Sequence, residues 1–168
     1  MADIIFQEAY NFIEKVKKLD NKYLGRTATK EEIELLNDKF GEKIPNWYYK
    51  LISELPLIHM EIGWKAYEPE DDYDGIAYVD IYKPDHMIDE SFESYPGMPI
   101  LERGYVCIGG DPTGSGDPYF INFDCKNPPV FQIYHDAGDN PEDILEYGKV
   151  KVADSLAEFF KNGIILEY

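Results

Sequence analysis

The hydrophobic pattern of the chain changes near Leu57, and this change constrains the fold more than any other feature. Before it, apolar residues recur at three- and four-residue spacing, which is typical of amphipathic helices packed on a core. After it come short runs rich in β-branched and aromatic residues, each closed by Gly, Pro, Asp or Asn. We therefore expect an α+β fold, with helices packed on a twisted, mainly antiparallel sheet.

Three helices are predicted in the first third of the sequence. Residues 3–19 are amphipathic and end in a basic last turn, which the helix dipole favours. Thr29 and Glu32 have the spacing of a capping box at the start of a second helix. Gly41 is expected to end that helix in the left-handed conformation. Pro45 is expected to open a third helix, because proline is tolerated in the first helical turn.

Strands are predicted wherever inward and outward residues alternate between turn signals. These segments are Ile76–Tyr82, Tyr105–Ile108, Tyr119–Phe123, Val130–Tyr134 and a last strand around Val150 and Val152. Their close succession argues for antiparallel pairing rather than parallel strands joined by crossover helices. A short helix is predicted between Pro84 and Ser94, and Ser155 is expected to cap a final helix.

Length and composition suit a single domain over residues 1–168, since 44% of the residues are hydrophobic. No stretch approaches the roughly 20 apolar residues that span a bilayer, and the first residues, MADIIFQEAYNF, lack the features of a signal peptide. We therefore expect a cytoplasmic protein. Cys107 and Cys125 form no paired motif, so free, half-buried thiols on strands are expected rather than a disulfide or a zinc site.

The net charge of −17 is concentrated in one part of the sequence. The first 50 residues carry nine acidic and nine basic side chains, whereas the remainder carries 24 acidic against 7 basic ones. Direct binding of nucleic acid or of an anionic membrane is disfavoured, because phosphate recognition needs clustered Lys and Arg. A basic protein partner is favoured, although an acidic surface also serves solubility alone.

The strongest charge feature is the run EPEDDYD, Glu68–Asp74. It opens a wider span, residues 68–94, that holds ten acidic residues and one basic residue. Tyrosines are interleaved with these acids, and rigid aromatic anchors among complementary charges are typical of protein interfaces. A solubilising loop is the alternative. The candidate partner-binding residues are Glu68, Glu70, Asp71, Asp72, Tyr73 and Asp74, with Asp111 and Asp117 as weaker candidates.

A Gly-rich loop, Gly109–Pro118, connects two of the predicted strands. It is not a Walker loop, since Ser115 rather than Lys follows Gly114, and it lacks the following helix of a dinucleotide fingerprint. Asp111 and Asp117 could supply oxygens to calcium, but the closing Glu of an EF-hand is missing. A tight, solvated strand connection is therefore the expected role.

The three histidines are scattered and show no metal-binding spacing, and we expect no metal and no cofactor. His135 stands beside Asp136, so a small hydrolase that uses His135 with Ser115, Cys107 or Asp117 is an alternative. Against it, neighbours along a strand face opposite sides, and no G-x-S-x-G nucleophile motif occurs. The sequence therefore favours a protein without catalytic activity.

Three segments, taken in order, resemble the SUKH superfamily, which includes cell-wall-assembly regulators of yeast and many bacterial immunity proteins. TKEEIELLNDKFGEKIPNWYYKLI, residues 29–52, is similar to the family's capped helix, Gly stop, aliphatic-Pro pair and aromatic-rich helix. GGDPTGSGDPYFINFD, residues 109–124, resembles its G-x-G-D-x-aromatic start of a strand. PPVFQIYHD, residues 128–136, resembles the following strand with its terminal His-Asp.

This resemblance implies a SUKH-like α+β domain that binds a toxin domain, often a nuclease, and blocks it. It also implies structural roles for Gly114, Gly116, Asp117 and Asp136, which match motif positions. We therefore expect an immunity protein that occludes a basic toxin domain. A regulatory scaffold or adaptor of the cell-wall-regulator type is the alternative, and the oligomeric state stays open at this point.

Overall fold

The computed structural model describes residues 2–165. Within that range seven α-helices form, which are α1 (Ala2–Leu19), α2 (Lys30–Phe40), α3 (Asn46–Glu54), α4 (Pro84–Ile88), α5 (Gly97–Ile100), α6 (Pro141–Tyr147) and α7 (Leu156–Lys161). Seven strands form as well, which are β1 (Glu61–Lys65), β2 (Ile76–Ile81), β3 (Tyr105–Gly110), β4 (Tyr119–Asn122), β5 (Val130–Ile133), β6 (Lys149–Ala153) and β7 (Ile164–Ile165).

The seven strands make one antiparallel sheet in the order β6-β5-β4-β3-β2-β1-β7. The first six strands follow one another as a meander, and β7 returns to the far edge to pair with β1. Strands β1 and β6 also contact each other although four strands separate them in the sheet. The sheet is therefore strongly curled, as the right-handed twist of strands favours, and the predicted α+β class is confirmed.

Alternation along the strands creates two buried faces. On one face, Val106 and Ile108 join the larger core with residues of α1, α2, α3 and α7. On the other face, Cys107 packs in a smaller core with Ile100 of α5 and Ile144 of α6. Because both faces are covered, all six residues of β3 are buried.

Most helix boundaries agree with the prediction. Thr29 Oγ1 accepts a hydrogen bond from Glu32 N at 3.2 Å, and Glu32 Oε1 accepts one from Thr29 N at 2.9 Å, which completes the capping box of α2. Gly41 has φ +57° and ψ −129°, so the predicted left-handed helical conformation is wrong, although the positive φ still suits glycine. Pro45 is the residue before α3 rather than part of its first turn.

Four elements and one cysteine differ from the sequence-based expectations. The sequence pattern does not predict β1, α5, α6 or β7, and two of these are too short to show a pattern, since α5 has four residues and β7 only two. Cys107 is completely buried on β3, whereas Cys125 is exposed in the turn after β4. The expectation of two half-buried strand thiols is therefore wrong, while both thiols are free as predicted.

Candidate functional site

The acidic run forms the loop that joins β1 to β2, here called the acidic hairpin, residues 66–75. Its base is closed by hydrogen bonds from the backbone N–H groups of Ala66 and Tyr67 to the carbonyl oxygen of Gly75, both at 3.0 Å. Its tip is closed by reciprocal backbone bonds between Glu70 and Tyr73, at 2.7 and 3.1 Å. The tight turn between them presents Asp71 and Asp72 to solvent.

The Gly-rich loop between β3 and β4 is organised around Asp111. Its Oδ1 accepts hydrogen bonds from Thr113 N at 2.8 Å and Thr113 Oγ1 at 2.5 Å. Its Oδ2 accepts bonds from Ser115 Oγ at 2.7 Å and Gln132 Nε2 at 3.3 Å. Burial by itself would raise the pKa of Asp111, but these donors outweigh it and hold the pKa below its usual value. Asp111 is therefore an ionised anchor of the loop.

The acidic hairpin and the Gly-rich loop together enclose an open cleft of about 810 Å³. Of the eight predicted partner-binding residues, six line it: Glu70, Asp71, Asp72, Tyr73, Asp74 and Asp111. Glu68 and Asp117 lie outside the lining. Two segments some forty residues apart in sequence thus contribute to one surface, here called the acidic cleft.

The acidic cleft combines negative charge with aromatic walls. Five carboxylates and four tyrosines line it, and among residues 2–165 no lysine, arginine or histidine does so. Tyr67 and Tyr73 stand side by side, with ring centroids 6.2 Å apart and planes inclined by 44°. Burial raises the pKa of each hydroxyl, and neighbouring tyrosines and carboxylates raise it further. The rings therefore stay neutral, and the cleft can attract cations.

Sequence reasoning missed the floor of the cleft, which is formed by Tyr119 and Gln132. These residues face each other across β4 and β5 and are both buried, with 1% and 9% of their surfaces exposed. Gln132 Nε2 donates hydrogen bonds to Asp111 Oδ2 and to the carbonyl oxygen of Asp117, at 3.3 and 3.1 Å. A polar residue at an inward position of the strand VFQI was the signal that could have revealed it.

The histidine singled out by the sequence pairs with a different carboxylate from its neighbour Asp136. His135 Nδ1 lies 2.6 Å from Asp117 Oδ1, and the same oxygen accepts a bond from His135 N at 3.0 Å. Ser115 Oγ instead donates to Asp111 and accepts a bond from Asp117 N. Within residues 2–165, no hydrogen bond joins Ser115 to His135, so a serine nucleophile with an adjacent base is not assembled.

Residues 2–165 contain no cluster of three or more His, Cys, Asp or Glu side chains that could hold a metal ion. No helix formed by these residues combines the length and apolar character needed to cross a bilayer.

Comparison with known proteins places the whole site inside one family region. The family model described as SMI1 / KNR4 family (SUKH-1) matches residues 27–162, from two residues before the N-cap of α2 to the C-cap of α7. No curated protein and no solved structure matches the chain. Members of this family typically bind partner proteins as non-catalytic immunity or regulatory modules. Because the family match spans most of the sequence and includes both loops of the acidic cleft, the chain belongs to the SMI1 / KNR4 family (SUKH-1).

Proposed function

We propose that this protein is a non-catalytic binding module that occludes a basic toxin domain, and that it acts as an immunity protein. The acidic cleft is the observation that carries the proposal. It gathers five carboxylates and four tyrosines without a compensating cation among the described residues. Such a surface complements a partner that exposes Lys and Arg.

The chemistry of nucleases explains why an acidic surface would suffice for inhibition. A nuclease toxin holds nucleic acid with a basic surface, because phosphate binding depends on Lys and Arg. An acidic protein competes for that surface and is steered towards it, with association rates of about 10⁸ M⁻¹s⁻¹ at low salt. Occlusion then blocks the toxin, and no catalytic group is needed.

Tyrosines give the cleft a means of binding that salt does not screen. Surface charge pairs weaken as ionic strength rises, since the Debye length is about 8 Å at physiological salt. Tyr67 and Tyr73 are partly exposed, at 37% and 42%, and can be buried by a partner. Aromatic side chains buried at an interface are frequent sites of strong binding. A dedicated partner should therefore be retained when weak ionic contacts are lost.

The direct test is capture of partners from a lysate of the native cells at low and at moderate salt. The bait proteins are the wild type, a cleft variant with Glu70→Lys, Asp71→Lys and Asp72→Lys, and a control with Glu34→Lys, Asp38→Lys and Glu42→Lys. The control residues are exposed on or just after α2, so its charge change equals that of the cleft variant.

The proposal predicts one basic, toxin-like protein that the wild type and the control retain at moderate salt and the cleft variant loses. Retention of the same partner by all three baits would remove the cleft from the interface. Recovery of only salt-labile basic proteins would indicate a general mimic of nucleic acid instead.

A further inference from the structure

The hydroxyl group of Tyr119 lies at the bottom of the acidic cleft without a partner. The residue is 1% exposed, and its hydroxyl makes no hydrogen bond to any residue between 2 and 165. Every fully enclosed polar side-chain atom in this range has a partner, so the small exposed remainder of Tyr119 includes its oxygen. Tyr119 lines the cleft together with Asp111, Tyr67 and Tyr73, so this oxygen faces the cleft. Burial raises the pKa of the hydroxyl, and Asp111, Tyr67 and Tyr73 raise it further.

Gln132, which pairs with Tyr119 across β4 and β5 and lines the same cleft, supplies a second free acceptor. Gln132 Nε2 donates to Asp111 and to the carbonyl oxygen of Asp117, and both of these groups only accept, which fixes the orientation of the amide. The remaining oxygen, Oε1, accepts no hydrogen bond within the described part of the chain. Tyr119 and Gln132 are neighbours across β4 and β5, so two oxygen acceptors on the floor are available to a ligand.

The walls add carboxylates and aromatic faces to these acceptors. Asp74 Oδ1 accepts a bond from Ile76 N at 2.9 Å, which fixes its carboxylate on the wall. The inclined rings of Tyr67 and Tyr73 also line the cleft and offer faces on which a flat cation can stack. A ligand that matches these acceptors, carboxylates and ring faces together is a planar cation with several N–H donors.

We propose that the acidic cleft is a binding site for a single arginine side chain projected by the partner protein. A guanidinium presents five donors in a plane, stacks on aromatic rings and is weakly hydrated. A lysine ammonium is a compact, strongly hydrated charge, and it cannot use the acceptors and the ring faces together. This inference rests on the proposed function and names the group that the partner inserts.

Capped tripeptides test the proposal on the full chain without knowledge of the partner. The probes are acetyl-Gly-Arg-Gly-amide, the lysine analogue and the citrulline analogue, which keeps the shape of arginine but carries no charge. Binding is followed by two-dimensional NMR of the ¹⁵N-labelled protein. The arginine peptide should move the Gln132 side-chain amide and the backbone signals of residues 67–78 and 111–119, and should bind about tenfold more tightly than either analogue.

Removal of the Tyr119 hydroxyl tests whether the arginine peptide binds at the floor of the acidic cleft. Tyr119→Phe should weaken binding of the arginine peptide by about tenfold, since a hydrogen bond to a charged group is lost. Tyr147→Phe is the control, because Tyr147 is 68% exposed and lies outside the cleft. The unliganded spectra of both variants report whether the fold is kept.

The outcomes separate this inference from the proposed function. Equal binding of the arginine and lysine peptides, or unchanged binding by a folded Tyr119→Phe protein, would overturn the arginine site. If the peptides do not bind while charge reversal in the hairpin still abolishes partner capture, the arginine site is wrong and the proposed function stands. If the arginine peptide binds at the cleft and no basic partner is captured, the arginine site holds and the toxin partner is wrong.

Discussion

Asp117 and His135 join the Gly-rich loop to the end of β5 through a single carboxylate oxygen. Asp117 Oδ1 lies 2.6 Å from His135 Nδ1 and also accepts a hydrogen bond from His135 N at 3.0 Å. The carbonyl oxygen of Asp117 accepts a further bond from Gln132. This carboxylate therefore turns away from the acidic cleft and holds one side of the loop in place.

The protonation of His135 should depend on that carboxylate. The hydrogen bond to Asp117 raises the pKa of His135, with a smaller contribution from its charge and that of Asp136. A raised pKa means that the pair stabilises the fold at pH values below the ordinary histidine pKa, and that this contribution is lost as the pH rises through the folded-state value. Asp117→Asn should lower the pKa of His135 in an NMR titration, and its effect on stability should be larger at pH 5.5 than at pH 9.

Asp136→Asn is the matched control for this prediction, because it removes a nearby charge without removing the hydrogen bond. It should change the pKa of His135 less than Asp117→Asn does. Equal changes from the two variants would show that the short contact to Asp117 has no special role.

Glu32 should make the stability of the α2 cap dependent on pH. The hydrogen bond from Arg26 is the main cause that lowers the pKa of Glu32 from 4.5 to about 2. A lowered pKa contributes stability that is complete above pH 4.5 and is lost as the pH falls towards 2. Glu32→Gln keeps the acceptor for Thr29 N but loses the charge, and should cost about 1 kcal/mol at pH 7.

The measurement is urea denaturation of the wild type and the variant between pH 2.5 and pH 7. Glu31→Gln provides the control, since Glu31 is exposed in the same helical turn. The difference between wild type and Glu32→Gln should shrink as the pH falls. A difference that stays constant with pH would contradict an ionic origin.

Gly75 should be far less tolerant of a side chain than Gly114, although both have positive φ angles of +77° and +91°. A Cβ atom at Gly75 would lie 2.3 Å from the carbonyl oxygen of Tyr67, whereas one at Gly114 would meet nothing within 4 Å. Gly114→Ala should cost about 1 kcal/mol through backbone strain alone. Gly75→Ala should cost about 3 kcal/mol, because it also disrupts the base of the acidic hairpin. If urea denaturation showed the same loss of unfolding free energy for both variants, the close approach of Gly75 to Tyr67 would be contradicted.

The two thiols should differ sharply in reactivity. Cys107 is completely buried, and its burial raises the thiol pKa, with a further increase from Glu90. Cys125 is exposed. Since the thiolate is the reactive form, iodoacetamide at pH 8 should modify one residue in the native protein, Cys125, and both after denaturation. Mass spectrometry of the digested protein identifies the site, and alkylation of native Cys107 would contradict the burial.

Elements with long or regular patterns could be predicted from the sequence. In α1 five apolar residues at helical spacing are all buried, namely Ile5, Ala9, Phe12, Ile13 and Val16. The two partners of the α2 capping box are only three residues apart. The two residues of β7 carry no such pattern. They are strand residues only because Ile164 and Ile165 pair with Gly63 and Ile62, a tertiary contact that a local pattern cannot contain.

The acidic cleft could be predicted only in part, for the same reason. Its charged wall is conspicuous in the sequence, but Tyr119 and Gln132 become its floor through the register of β4 with β5. Asp117 is the opposite example. Its charge is evident in the sequence and suggested a partner-binding role, but its carboxylate contacts His135 instead of lining the cleft. The single domain over residues 1–168 and the partner-binding residues stay predictions.

The rate at which the protein associates with its captured partner tests the central claim most directly. Stopped-flow measurements over a range of salt concentrations would compare the wild type, the cleft variant with lysine at 70, 71 and 72, and the control with lysine at 34, 38 and 42. The acidic cleft predicts that the cleft variant associates at least about tenfold more slowly at low salt and shows a flatter salt dependence, while the control stays close to the wild type. An unchanged association rate and salt slope in the cleft variant would show that the partner binds elsewhere.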